Sequence, residues 1–296
     1  MTFAQNKHRG LTWLGLALFI FLAYLVSYLV SISIRQKPEE LIPKNIERIV
    51  SLNVAATEIL IDLGLEDKIV GVSFSKSNPQ AIKEKPKVGR GLGNVNAEVV
   101  LALSPDIVFA YKGDAKFLRE KGVPVFVVDT CNLQEVIDLV EDIGKMMGKE
   151  KEAYKIARRL KERIERIKER LKNIPNRPLV YFEAGAIGRT RASGSLTHDL
   201  ITMAGGENLA KDEPVSFPLL SSEYIIAKNP DIIIVEEYGA SIGEVKNRDG
   251  WQDIKAVKNN RIFRSPVYYT NYTPRCIEGL EQFARWFHPE LFINEK

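Results

Sequence analysis

Cysteine, histidine and methionine are scarce in this chain: two, three and four respectively in 296 residues. The three histidines, His8, His198 and His288, are too scattered to form a zinc motif. No HExxH, CxxC, GxSxG or P-loop sequence occurs. GRGLGN, from Gly89, has alternate glycines without the GxGxxG spacing, and reads as a plain loop. These absences point to binding rather than catalysis. Charge of one sign is lacking as well. The 42 Lys and Arg against 38 Asp and Glu leave a formal net charge of +4. With no basic run interleaved with aromatics, nucleic acid is not an expected partner. Cys131 and Cys276 lie one in each half and read as two separate buried residues, not a disulfide.

What is present begins with one long uncharged run, Gly10 to Ile34, preceded by Lys7, His8 and Arg9 and closed by Arg35. As a helix it would span roughly 37 Å at 1.5 Å per residue, more than a bilayer core of about 30 Å. A secretory signal has an apolar region of only about 7–15 residues. The run therefore reads as a retained transmembrane anchor at 11–34, with residues 1–10 as a cytoplasmic tail. Cleavage after Ser33 is the alternative. The run holds no cysteine, so thioether lipidation of a processed N-terminus is excluded. The positive flank stays inside, which places everything after Arg35 outside the cell, on a single-pass anchor in the cell membrane. Residues 35–47, with Pro38 and Pro43, read as a linker.

Beyond the linker, one segment nearly repeats 125 positions apart. EVVLALSPDIVFAY starts at Glu98 and EYIIAKNPDIIIVEEY at Glu223. In each, a helical stretch ends at a Pro-Asp turn and a short β-branched run follows. Helices tend to stop before proline, and such runs between breakers read as buried parallel strands. Further strands are expected at RIVSL from Arg48, IVGVS from Ile69, VFVV from Val125, LVYFEA from Leu179 and RIFRS from Arg261. Helical stretches alternate with them, as βαβ units require. The fold class is α/β: two similar Rossmann-like lobes, 48–131 and 178–296, joined by a helical connector at 132–177. Its later part has Ala153, Ile156, Leu160, Ile164, Ile167 and Leu171 in one narrow stripe, which reads as a rigid strut between the lobes.

Open parallel sheets bind ligands at the carboxyl ends of their strands. In the first lobe those loops carry Phe74, Lys76, Arg90, Tyr111 and Lys112. In the second they carry Arg189, Thr190, Arg191, Phe217, Tyr238, Tyr268, Tyr269, Tyr272 and Arg275. Arginine forms bidentate bonds to carboxylate or oxyanion, tyrosine makes an amphipathic wall, and phenolate ligates ferric iron. The set suits an anionic, partly apolar ligand. His198, at a helix start, reads as a surface or capping residue.

RIVSLNVAATEILIDLGLEDKIVGVS, PKVGRGLGNVNAEVVLALSPDIVFAY, GSLTHDLITMAGGENLA and PRCIEGLEQFARWFHPELF occur in that order between Arg48 and Phe292. Together they resemble the periplasmic binding proteins for ferric siderophores, haem and cobalamin. The resemblance implies two α/β lobes on one long helix, with capture of a small-molecule metal complex between them. It also implies delivery to the permease and ATPase subunits of an ABC importer, without a cofactor or enzymatic activity. Glu98 and Glu207 match the positions that dock the permease. Arg90 and Lys112 stand where a cobalamin binder would be expected to stack aromatics, which favours an anionic, iron-siderophore-type complex. Cobalamin, haem and molybdate or tungstate stay open. Outside this class, a tetrapyrrole chelatase would need a histidine–carboxylate pair in the cleft, for which His198 is the sole candidate. A surface sensor domain would bind protein instead.

Overall fold

Both sheets have four parallel strands in the same order, so the second lobe repeats the first strand for strand. The computed structural model describes residues 45–74, 79–89 and 93–293. In the first lobe β1 (Ile49–Ser51), β2 (Ile69–Val72), β3 (Ile107–Tyr111) and β4 (Val125–Val128) are arranged β2-β1-β3-β4. In the second, β5 (Leu179–Glu183), β6 (Glu207–Asn208), β7 (Ile232–Glu236) and β8 (Ile262–Ser265) are arranged β6-β5-β7-β8. All neighbours pair in parallel. Helices cover both faces, so the central strands are apolar for most of their length: Ile49, Val50, Val108, Ile232, Ile233 and Ile234 are fully buried.

The Pro-Asp repeat has a physical cause. Helices α1 (Val54–Asp62), α2 (Ala97–Ala102) and α3 (Lys112–Glu120) serve the first lobe. The second has α6 (Leu196–Met203), α7 (Ser222–Lys228), α8 (Ile242–Lys246), α9 (Lys255–Lys258) and α10 (Cys276–Phe287). Both α2 and α7 are followed by a left-handed residue just before the proline: Ser104, φ 44°, and Asn229, φ 51°. The next aspartate then reaches back to the neighbouring strand. Asp106 Oδ2 accepts the amides of Glu47 and Arg48, both at 2.8 Å, at the entry to β1. Asp231 Oδ2 accepts the amide of Leu179 at 2.9 Å, the first residue of β5. The aspartate amides donate in return to Arg48 O at 2.8 Å and Leu179 O at 2.9 Å. Each clamp fixes the register of the two inner strands. The two amides hold the Asp106 carboxyl below the usual carboxylate range.

The connector is two helices, not one. α4 (Leu133–Met146) stops in a Schellman turn, with Gly148 at φ 67° and Lys149 N–H bonded to Gly144 O at 2.7 Å. α5 (Glu150–Arg170) folds back along it. Gly144 is the closest approach: a Cβ there would lie 2.1 Å from Ala153 Cβ. α5 is the strut, with 21 residues and a length of about 31 Å. Of the expected stripe, Ala153, Leu160, Ile164, Ile167 and Leu171 are buried, joined by Ala157. Arg163 ties the strut to α10 through two bonds to Glu281, at 2.8 and 2.7 Å.

Three details differ from the sequence expectation. β6 and α8 are too short to produce a periodic signal. The helical stretch before RIFRS is reduced to the four-residue α9, because Trp251 turns into the core and donates to Ser222 Oγ at 2.6 Å. Residues 46–296 form one compact unit. The expected tail and anchor, and most of the linker, lie outside the described residues. No helix among the described residues is long and apolar enough to cross a membrane.

Replacing Asp106 or Asp231 by alanine is expected to destabilise the protein by about 1–2 kcal/mol, the net worth of one or two such bonds. Urea unfolding followed by far-ultraviolet dichroism measures this. Unchanged midpoints for both variants would show that the clamps contribute nothing.

Candidate functional site

The elements that meet between the lobes lie at the carboxyl ends of the strands. α1 follows β1 and approaches the Thr273–Cys276 segment that follows β8. Asn132, Leu133 and Ile137 follow β4, and with His198 after β5 they line a cavity of about 320 Å³ against Ile164 and Lys168 of the strut. The helices that leave the carboxyl ends of β4 and β5 therefore approach one another beside the strut, and none of the expected ligand residues lines this cavity.

Within the second lobe, two groups of expected residues come together. Loop 184–194 runs beside segment 214–220. Thr190 N–H donates to Pro218 O at 3.1 Å, Ala192 N–H to Ser216 O at 2.9 Å, and Leu220 N–H to Gly188 O at 2.8 Å. Alternation along this ribbon buries Thr190 and Ala192 and turns Arg189 and Arg191 outward. The Arg191 guanidinium lies over the Phe217 ring at 5.1 Å. Phe217 is 62% exposed and Leu219 75%, with Ile187 and Tyr238 also exposed on this lobe. This is a large uncovered apolar surface beside two arginines. Gly188, φ 77°, is needed where the ribbon closes, since a Cβ would come within 2.2 Å of Leu220 O. Glu236, at the end of β7, tempers the positive charge. Burial raises its carboxyl, and Arg191 draws it back.

The second group follows β8. Arg275 stacks on Tyr268 at 3.5 Å and reaches Glu278 at 3.5 Å. Tyr268 meets Tyr269 edge-on at 4.9 Å. Burial, then Tyr268, raises the Tyr269 hydroxyl, so it stays protonated. Tyr272 has a structural bond, its hydroxyl accepting Leu196 N–H at 3.2 Å at the start of α6. On the first lobe, Tyr111 closes β3 and is half-buried, with its hydroxyl raised by burial. Lys112 is exposed and pairs with Asp129 at 3.4 Å. Phe74 is 44% exposed. Lys76 and Arg90 lie outside the described residues.

A buried network, invisible in the sequence, holds the arginine ribbon in place. Glu183 ends β5 with its side chain wholly buried, and Arg248 grips it with two bonds of 2.7 Å. Arg248 also lies over Trp251 at 4.5 Å. Tyr181 donates to Glu183 Oε2 at 3.2 Å and accepts Gly188 N–H at 2.9 Å. Burial, then the Glu183 charge, pushes the Tyr181 hydroxyl far up, so it remains a donor. Partners 65 residues apart leave no local pattern to read.

His198 is half-buried and held by one side-chain bond. The Asn208 amide oxygen accepts Ala210 N–H at 3.0 Å, so its nitrogen donates to Arg191 O at 2.8 Å and to His198 Nδ1 at 3.2 Å. That assigns the ring proton to Nε2. No cluster of three metal-ligating side chains occurs among the described residues. Cys131 is exposed and Cys276 buried, both free. Glu98 is exposed in the first turn of α2. Glu207 opens β6 at the amino edge of its sheet and pairs with Lys211 at 2.8 Å. The position equivalent to Glu98 is Glu223, exposed in the first turn of α7. The internal repeat itself carries that signal.

Two lobes of parallel strands in the same order, joined by a helical connector, are the architecture of solute-binding proteins. Residues 49–269 match the periplasmic binding protein family, and the chain belongs to it. It is 34% identical over 264 residues to an uncharacterised ABC transporter substrate-binding lipoprotein, YvrC, from Bacillus subtilis, covering 85% of this chain and 83% of that one. It is 29% identical over 252 residues to a vitamin B12-binding protein from Vibrio cholerae, covering 81% and 88%. Among solved structures, the periplasmic haem-binding protein RhuT from Roseiflexus aligns with a TM-score of 0.74 at 25% identity, covering 83% of this chain and all of that one.

Arg248→Ala is expected to cost about 3–5 kcal/mol, because it strands the Glu183 carboxylate in the core. Replacing both partners, Glu183→Leu with Arg248→Met, is expected to cost less than Arg248→Ala alone. Thermal unfolding distinguishes the two. A mild effect of Arg248→Ala would mean that the pair does not organise the ribbon.

Proposed function

We propose that this chain is the extracytoplasmic substrate-binding protein of an ABC importer, and that it captures an anionic metal complex with an organic framework. The observation that carries this reading is the juxtaposition of Arg189 and Arg191 with exposed Phe217 and Leu219. Paired with Arg275 on Tyr268, it offers bidentate donors beside uncovered apolar area. A ferric siderophore or haem matches both halves of that surface. A bare molybdate or tungstate has no use for the apolar half. Cobalamin is the second reading, favoured by the 29% identity to a vitamin B12-binding protein.

The ligand set is then Arg189, Arg191, Phe217, Tyr238, Tyr268, Tyr269 and Arg275 from one lobe, with Tyr111, Lys112, Lys76 and Arg90 from the other. Tyr272 supports the site through Leu196. For docking, the permease is a two-fold partner and needs one exposed carboxylate from each lobe at equivalent places. Glu98 and Glu223 meet that condition better than Glu98 and the lysine-paired Glu207. Residues 11–34 would hold the body at the membrane, since that run has no cysteine to carry a lipid.

The test is to mix the purified full chain in turn with a ferric hydroxamate, haemin, cyanocobalamin and molybdate, reading native mass and visible spectrum. One metal complex is expected to bind, and Arg191→Ala and Arg275→Ala are each expected to weaken it about tenfold or more, the worth of one charge-assisted bond. Binding of molybdate alone, or binding indifferent to both arginines, would contradict the reading.

A further inference from the structure

Glu58 is an anomaly that ligand capture does not explain. It sits in the middle of α1, only 4% exposed, and neither carboxyl oxygen has a hydrogen-bond partner. Across from it, on the other lobe, lies Thr273, 2% exposed, whose hydroxyl is also without a partner. Two orphaned polar groups, one per lobe, thus stand against each other, at a place where burial without pairing is costly. The charges around them do not neutralise Glu58. On its own helix is Asp62, an acid. From the start of α10 come Arg275, already stacked on Tyr268 and reaching Glu278, and then Cys276 and Glu278 itself. The strut contributes Arg159, which acts on Asp62, and Arg163, which is committed to Glu281. Burial dominates and raises the Glu58 carboxyl to about 7, while Thr273 and then Arg275 pull the other way.

We propose that Glu58 is a proton-operated latch between the lobes: as a neutral acid it holds α1 against the Thr273–Cys276 segment, and losing its proton opens that seam. A neutral carboxyl can donate a hydrogen bond to the Thr273 hydroxyl oxygen, or accept one from it, after a small lobe shift. A carboxylate can draw on the Thr273 hydroxyl, but one donor offsets only part of its lost hydration, and the way to more water is separation of the lobes. The sign follows from linkage. The packed seam binds the proton more tightly than the open one, so packing is favoured at low pH and is weakened as pH rises through the Glu58 titration. If the cleft holds ligand as proposed above, acidity favours retention and alkalinity favours release. The latch itself needs no ligand and is tested without one.

Two measurements on the full chain decide it. Difference infrared spectroscopy follows protonated carboxyls, and amide hydrogen exchange, corrected for intrinsic rates, follows opening of residues 54–62 and 273–280. A protonated carboxyl is expected to titrate near pH 7 and to be missing in Glu58→Gln. Across the two pH units centred there, the opening constant should rise about tenfold in the native protein and stay flat in Glu58→Gln. Thr273→Val removes the opposing hydroxyl from the other lobe and should move the titration upward. Titration among the ordinary carboxylates would overturn the proposal. So would opening that ignores pH in the native protein, or that keeps its pH dependence in Glu58→Gln. Should Glu58→Gln fail to fold, the native titration and Thr273→Val still decide: an unmoved titration in Thr273→Val would show that no latch spans the seam.

Discussion

The architecture rests on the aspartate that follows each Pro-Asp turn. A parallel sheet has no hairpins to fix its register, so each inner strand must be positioned by something outside the ladder. Asp106 and Asp231 do this by accepting amides at the entry of β1 and β5 while donating back to the same strands. Register then decides which residues emerge at the carboxyl edge. In the second lobe it sets Glu183 beside Val235 and Glu236 one residue further along β7, Glu183 locked by Arg248 and Glu236 near Arg191. The basic ribbon and its aromatic cover follow from that placement.

The connector sets how the lobes can move. α5 packs on α4 through the Gly144–Ala153 approach and is bound to α10 through Arg163 and Glu281. A strut fastened at both ends permits small shear more readily than wide hinging. Small displacements suffice at a seam where Glu58 and Thr273 stand opposed in the core.

Much of this is legible in the sequence, for identifiable reasons. Buried parallel strands announce themselves as β-branched runs, and the repeat at Glu98 and Glu223 marks two lobes from residue order alone. Arg191 and Phe217, and Arg275, Tyr268 and Tyr269, stand out as candidate site residues by type and position, and Arg191 lies over Phe217, Arg275 over Tyr268, and Tyr268 against Tyr269. What stays hidden depends on long-range partners. The Glu183–Arg248 pair spans 65 residues, and Thr57 and Glu58 look like any helical polar residues until α1 is seen to bury them. The bond by which the Tyr272 hydroxyl accepts Leu196 N–H also spans distant residues and leaves no local pattern. The break between α4 and α5 shows only as Gly148 within an otherwise continuous helical pattern.

The central claim is that one metal complex is held by both lobes at once. Hydrogen-exchange footprinting of the full chain, with and without whichever of haemin, cyanocobalamin or a ferric hydroxamate binds, tests it most directly. The account predicts simultaneous protection at the end of β3 around Tyr111 and at Arg189–Arg191, Phe217–Leu219 and Tyr268–Arg275. Protection confined to one lobe, or to the cavity beside the strut, would contradict it.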